Sequence, residues 1–149
     1  MNKGFTLFIA VVVTGTLLLI STAIVTLAVK QSLISASGRE SQTAFYAADT
    51  GLECALYWDI QNPSGQSAFD VTTGSTIDCN HDGANSGNQW VVGGSSISTF
   101  TITFLPDLAC ARVTVTKGPG TATKIESLGY NSCDPANPRR VERAVRASY

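Results

Sequence analysis

The pattern of apolar and polar positions divides the chain into parts of different character. Residues 5–29 form 25 consecutive positions without a charged side chain, behind the short leader Met1-Asn2-Lys3-Gly4. At about 1.5 Å of rise per residue, a helix over this stretch would be roughly 37 Å long, and a hydrocarbon core is about 30 Å thick. The pattern therefore predicts a helix that spans a membrane with some tilt.

Beyond this stretch the sequence becomes polar but keeps a helical period. Apolar residues recur every three or four positions, for example at Phe45, Leu52 and Leu56. No proline occurs before the turn-like residues 62–65, so we expect the helix to continue to about residue 59. Its amphipathic continuation, residues 30–61, is expected to lie on a sheet through Phe45, Leu52 and Leu56.

Residues 62–96 are dense in Gly, Ser, Thr, Asn and Asp, with short apolar islands at residues 69–71 and 90–92. This composition predicts a segment that is mostly loop. Any ligand specificity of the exposed part would be expected there.

Residues 97–149 change to a period of two, as in half-buried strands. Phe100, Ile102 and Phe104 alternate with threonines, and residues 112–116, 123–130 and 140–149 continue the series. The predicted fold class is α+β, with a long amino-terminal α-helix packed on an antiparallel sheet of about four strands. Arg143 shares the parity of apolar neighbours, which suggests a place at a sheet edge.

Composition and charge narrow the functional classes. The net charge is −1 and 14% of the residues are charged, so there is no overall signature of polyanion binding. His81 is the only histidine and its neighbours predict a turn, which leaves no catalytic Ser-His-Asp or Cys-His set. We expect no enzymatic activity, no catalytic residue and no cofactor. The remaining carboxylates are expected on solvated faces: Glu40, Asp49, Glu53, Asp59 and Glu126.

Four cysteines without C-x-x-C spacing favour two disulfides in a small exported domain over a zinc site. They are Cys54, Cys79, Cys110 and Cys133. Three connectivities are open, but a hairpin that turns at residues 118–120 would bring Cys110 close to Cys133. Cys54 would then pair with Cys79. Because disulfides persist in oxidising compartments, the head is expected outside the cytoplasm and the amino terminus inside.

One segment has the spacing of a calcium loop. Asp78, Asn80 and Asp82 alternate before a glycine, as the ligands do in the first half of D-x-N-x-D-G loops. The twelfth position is Gln89 instead of a bidentate glutamate, and no second helix is expected. We favour a polar turn, with calcium as the alternative, and expect no other metal site.

The last predicted strand is basic, with arginines at positions 139, 140, 143 and 146. Clustered arginines could contact DNA phosphates. Protection of an edge strand by charge is the favoured alternative, and Glu142 dilutes the patch.

Two motifs resemble the type IV pilin and pseudopilin superfamily. They are KGFTL at residues 3–7, and FYAADTGLE at residues 45–53, which is similar to the F-Y-A-A-x-x-G-[LI]-E stretch of some minor pilins. The resemblance implies cleavage by a prepilin peptidase between Gly4 and Phe5, with methylation of the new amino terminus. It also implies assembly through the apolar helix, with the following candidate residues: Phe5, Leu7, Phe8, Ile9, Gly15 and Thr16.

Ile9 departs from the family pattern, because most members carry a glutamate at this fifth position after the cleavage point. That carboxylate is thought to pair with a neighbouring subunit's terminal amine in the apolar filament core, where an unpaired charge is costly. Its absence resembles members that cap a filament tip. A lineage that packs by apolar contacts alone is the alternative. Thr26 stands where the family commonly has a proline, so we expect an unbroken helix.

Small and hydroxyl-bearing residues along the apolar helix would allow other helices to approach closely and form interhelical hydrogen bonds. Alternatively, the hydroxyls bond to their own helix backbone. The residues are Thr6, Thr14, Gly15, Thr16, Ser21, Thr22 and Thr26.

The resemblance implies a structural subunit of a type IV pilus-like filament, minor or tip-associated. The expected parts are a leader (1–4), an assembly helix (5–29), its continuation (30–61) and a head (62–149). The subunit would cross the cytoplasmic membrane once and then enter an extracellular filament. Implied partners are other pilin subunits, the assembly machinery, the prepilin peptidase and membrane lipid. The alternatives are a principal pilin and a membrane-tethered binding or adhesion module. Sequence does not distinguish motility, adhesion, DNA uptake and secretion.

Overall fold

The computed structural model describes residues 3–62, 65–106, 108–118 and 122–149. Residues 1–2 of the predicted leader, residues 63–64 of the predicted helix stop and residues 119–120 of the predicted turn lie outside the described residues. One helix precedes six strands in the described part: α1 (Lys3–Ile60), β1 (Gly74–Asp78), β2 (Gln89–Gly93), β3 (Ile97–Phe104), β4 (Ala109–Thr116), β5 (Lys124–Tyr130) and β6 (Glu142–Ser148). The predicted α+β class is confirmed.

The helix α1 is uninterrupted from Lys3 to Ile60, as expected for a stretch that lacks proline. Its last turn closes with a hydrogen bond of 2.8 Å from the Gln61 amide to the Tyr57 carbonyl. The chain forms two compact units, Met1–Gly38 and Arg39–Tyr149. The outer part of α1 therefore belongs to the same unit as the strands.

The four strands predicted at the carboxyl-terminal side form one antiparallel sheet in the order β3-β4-β5-β6. Inward side chains alternate along each strand, so Val113 and Val115 of β4 and Ile125 of β5 are buried between exposed neighbours. β6 lies at the edge, where Arg143 pairs with Gly129. The expected edge position of Arg143 is thus confirmed.

The prediction that residues 62–96 are mostly loop is wrong over two short strands. β1 and β2 pair as an antiparallel hairpin in which Ile77 lies opposite Trp90. Only Ile77 of β1 and Val92 of β2 are fully buried. A single buried side chain in each five-residue strand leaves too little alternation to reveal the hairpin in the sequence.

The core of the head lies between α1, the hairpin and the sheet. Phe100 of β3 stacks on Phe69 at 6.2 Å between ring centroids and meets Trp90 at 5.1 Å. Phe69 is buried although it follows the helix in an irregular segment. The apolar islands of residues 69–71 and 90–92 thus supply core side chains.

Small residues carry the contact between α1 and the sheet. Ala44, Ala48 and Ala55 are fully buried, and Leu52 is nearly so. The expectation that Phe45 packs on the sheet is wrong, since its side chain is 47% exposed. Large side chains point away because the backbones of helix and sheet approach closely at this face.

The two disulfides connect distant parts of the head. Cys54 of α1 pairs with Cys79 after β1, with their Cα atoms 6.0 Å apart. Cys110 of β4 pairs with Cys133 after β5, with their Cα atoms 5.5 Å apart. These are the two pairs that the sequence favours.

Candidate functional site

The first candidate site is the apolar part of α1. Every residue from 4 to 35 is exposed within its own unit, and the most apolar window of the helix has no buried residue. A helix that is apolar on all sides requires lipid or other apolar helices around it. By length and composition, α1 is the one helix in the described residues that could cross a membrane.

The residues expected to mediate assembly lie on different sides of this helix. Phe5, Leu7 and Phe8 each expose about two thirds of their side chains, and Ile9 exposes 45%. Gly15 has no other group within 4 Å of the place where a Cβ would stand. These residues are accessible to a partner, and their role in assembly stays a prediction.

The hydroxyl groups of the apolar helix bond mostly to its own backbone. Thr16 Oγ1 donates to the Val13 carbonyl at 2.9 Å, and Ser21 Oγ donates to the Leu17 carbonyl at 2.8 Å. The same pattern recurs at Thr14, Thr22 and Thr26. These hydroxyl protons are therefore already engaged in hydrogen bonds within α1. The residues favour the close approach of another helix more than hydrogen bonds to that helix.

The first turn of α1 contains no acidic residue. Ile9 presents an apolar side chain instead of a carboxylate, and Glu40 is the first acidic residue of the chain. The helix can therefore enter an apolar environment without burying a negative charge.

The side chains of residues 45–53 lie on two faces of α1, one against the sheet and one exposed. Ala48 and Gly51 face the sheet and are buried, whereas Tyr46 and Glu53 are exposed. A Cβ on Gly51 would lie 2.9 Å from Val113 Cγ2 and 3.0 Å from Ala111 Cβ. The small residues of the motif thus seat the helix on the sheet, and its larger residues remain accessible.

Asp59, expected on a solvated face, is buried instead. Its carboxylate forms an ion pair with Lys117 Nζ at 2.6 Å. The hydroxyls of Ser67 and Tyr149 also donate hydrogen bonds to it. Asp59 therefore joins the end of α1 to the segment after β4 and to the strand end after β6.

These contacts change the ionisation of both acids. Burial would raise the pKa of Asp59, but the hydrogen bonds from Lys117, Ser67 and Tyr149 and the charge of Lys117 outweigh it, so its pKa lies below the ordinary value. Burial raises the pKa of Tyr149, and its hydrogen bond to Asp59 raises it further. Asp59 is thus held as a carboxylate and Tyr149 as a phenol.

The helical period of the sequence could have shown that Asp59 is buried. It stands four residues after Ala55 and seven after Leu52, on the stripe that faces the sheet. Its partner Lys117 lies 58 residues away in sequence, so the local sequence does not show how the charge is compensated.

The calcium candidates lie in the connection between β1 and β2. Asp82 Oδ1 accepts hydrogen bonds from the Ala84 and Asn85 amides at 2.9 and 2.8 Å. Asp78 and Asn80 are exposed, and the described residues contain no group of three or more His, Cys, Asp or Glu side chains that could hold a metal ion. The Asp82 carboxylate organises a polar turn, and calcium binding stays an untested alternative.

The arginines of β6 and of the segment before it have separate partners. Arg146 pairs with Glu126 at 2.5 Å, Arg140 stacks over the Tyr130 ring at 3.8 Å, and Arg143 donates to Ser41 Oγ at 2.9 Å. Glu126 lies on a partly exposed strand face, where it pairs with Arg146, whereas Asp59 is buried. These contacts engage three of the four arginines that could otherwise contact DNA phosphates.

A protein-family model described as PilX N-terminal matches residues 3–53. No curated protein and no solved structure matches the chain. The matched range contains both the apolar helix and the motif of residues 45–53. The model covers 51 of the 149 residues. The resemblance seen in the sequence is therefore confirmed, and the chain is type IV pilin-like over residues 3–53.

Proposed function

We propose that this protein is a minor, tip-associated subunit of a type IV pilus-like filament. A prepilin peptidase cleaves it after Gly4, and the new terminus at Phe5 is methylated. Before assembly, the subunit resides in the cytoplasmic membrane with its amino terminus in the cytoplasm. It then exchanges lipid for the helices of other subunits and enters the extracellular filament.

The observation that carries this proposal is the exposed apolar surface of α1 over residues 5–29, within a segment that matches the minor-pilin model. The exchange of lipid for protein costs little because the backbone groups within the helix, apart from its first and last turns, are bonded internally. Ile9 supports the position at the tip. A subunit with no neighbour ahead of it needs no carboxylate to meet that neighbour's terminal amine.

Quantification of the protein in sheared filaments and in membranes tests the proposal. We expect the subunit in the filament fraction at a small fraction of the amount of the most abundant filament protein. Parity with that protein would favour the principal-pilin alternative, in which helices pack by apolar contacts alone. Confinement to membranes in cells that assemble filaments would contradict the proposal and favour the tethered binding module.

A further inference from the structure

The charged residues of the head are segregated along the chain. Residues 40–111 contain eight Asp and Glu but no Lys or Arg, whereas residues 112–149 contain seven Lys and Arg and three Asp and Glu. The first stretch forms the outer part of α1, the β1-β2 hairpin and the edge strand β3, and its Asp59 pairs with Lys117 of the second stretch. The second forms most of β4, all of β5 and the opposite edge strand β6. We call the elements of the first stretch the acidic side of the head and those of the second stretch the basic side.

The acidic side contains an open groove of 520 Å³ between α1 and the turn after β1. Glu53 and Asp78 line it together with the rings of Tyr57 and Trp58, which meet edge to face at 5.5 Å. Trp58 Nε1 donates to the Asp78 carbonyl at 2.9 Å, which fixes one wall. Within the described residues, neither carboxylate forms an ion pair. The groove thus offers aromatic surface and uncompensated negative charge.

The basic side ends in β6, whose outer edge pairs with no other strand of the described sheet. Arg143 of β6 is exposed, and so is Arg139, which lies three residues before β6. Arg143 uses its Nε to contact Ser41, and no carboxylate in the described part of the chain pairs with either guanidinium. This edge therefore carries positive charge that the head does not neutralise.

We propose that the groove lined by Glu53, Tyr57 and Asp78 receives the β6 edge of a second copy of this chain, with Arg139 and Arg143 against its carboxylates. A guanidinium suits this groove because it binds carboxylates through paired donors and stacks on aromatic rings. The groove and the β6 edge are different surfaces, so the contact is heterologous. The inference rests on the proposed function, since copies of the subunit share one membrane before they enter a filament and their heads can meet there.

Site-specific photocrosslinking of the full chain in its native membranes tests the contact. A benzophenone amino acid in place of Tyr57 should yield a crosslinked dimer, and the crosslinked peptide should contain residues 139–146. The matched control carries the same group at Thr101, an exposed position of β3 between the buried Phe100 and Ile102. It faces away from the core and should give at most a trace of dimer.

Charge exchange tests the chemistry of the same contact. Glu53→Arg and Arg143→Glu should each lower the yield of the Tyr57 crosslink by about tenfold. The double variant should restore it to within about twofold, because the two charges meet again with their signs exchanged. High salt should weaken the wild-type crosslink, since charges at a contact rim are screened.

The absence of dimer from position 57 would overturn the inference, as would a crosslink that maps outside residues 139–146 or joins a different protein. Failure of the double variant to recover the crosslink would also overturn it. The amount of subunit in sheared filaments, measured in the same cells, separates this result from the proposed function. A subunit that is present in filaments but gives no crosslink from position 57 refutes only the contact.

Discussion

Gly129 of β5 lies directly against Ala48 of α1, and no side chain fits between them. A Cβ on Gly129 would overlap the Ala48 amide nitrogen and the Ala44 carbonyl oxygen. Because those atoms belong to helix backbone, they cannot move aside as the end of a flexible side chain can. The distance between α1 and the sheet is therefore set by the absence of a side chain at this position.

Gly129→Ala is expected to destabilise the head by about 3 kcal/mol or more, because the helix must shift off the sheet to admit the methyl group. Chemical unfolding of the full chain in detergent, followed by tryptophan fluorescence, measures the effect. Both tryptophans, Trp58 and Trp90, belong to the head unit. Gly38→Ala is the matched control, since nothing lies within 4 Å of its Cβ position and alanine favours the helix by about 1 kcal/mol at most. Equal stability of Gly129→Ala and wild type would refute the close contact.

A substitution at Ser127 is expected to stabilise the head, in contrast to Gly129→Ala. Its Oγ is the one buried side-chain polar atom in the described residues without a hydrogen-bond partner. Ser127→Ala is expected to stabilise the head by about 1 kcal/mol, since it removes an unsatisfied hydroxyl and leaves the methylene in place. Ser98→Ala is the control, because Ser98 Oγ accepts a hydrogen bond from the Gly93 amide at 3.0 Å and its loss should destabilise. The same unfolding measurement serves both, and a destabilised Ser127→Ala variant would contradict the assignment.

The buried carboxylate of Asp59 predicts a pH dependence. Its pKa in the folded head lies below the ordinary value of 3.8, so the unfolded chain binds the proton more readily. The stability that Asp59 contributes is therefore fully present above about pH 3.8 and is lost as the pH falls through the folded pKa. Asp59→Asn should cost about 2 kcal/mol near neutral pH, and this difference from wild type should shrink below pH 3.8.

Thermal unfolding of wild type and Asp59→Asn between pH 2 and about pH 7 measures this difference. Glu53→Gln is the control, because Glu53 is exposed and forms no ion pair within the described residues. A difference between Asp59→Asn and wild type that stays constant across this range would show that the carboxylate is not held ionised by Lys117.

The disulfides predict two specific crosslinked peptides under non-reducing digestion. One should join the peptides that contain Cys54 and Cys79, and the other those that contain Cys110 and Cys133. Replacement of either pair by alanine should cost about 2 to 5 kcal/mol, since each bond closes a loop of more than 20 residues in the unfolded chain. Recovery of any other pairing would require a different arrangement of α1 and β4.

The sequence predicts the long helix and the meander because both have sustained periodicity. α1 contains no proline, β3 alternates over its first six residues and β4 over its last six. Such patterns identify elements without knowledge of their neighbours. The hairpin of β1 and β2 lacks this signal, because each strand buries one side chain.

Other features depend on partners that are distant in sequence. The helical period favours Phe45 as a packing residue because it is large and apolar. At Gly129, however, α1 lies so close to the sheet that only small side chains, such as Ala44 and Ala48, fit between them. The helical period places Asp59 on the buried stripe, but the local sequence does not show that Lys117 compensates its charge. The groove at Glu53 likewise requires the turn after β1, which sequence alone does not locate.

The most direct test of the account is the mass of the amino-terminal peptide of the protein in sheared surface filaments. Cleavage after Gly4 and methylation of the new terminus predict a peptide that begins at Phe5 and carries one methyl group. That result would establish both processing after Gly4 and entry into the filament. A peptide that retains Met1 and occurs only in membranes would contradict assembly through α1.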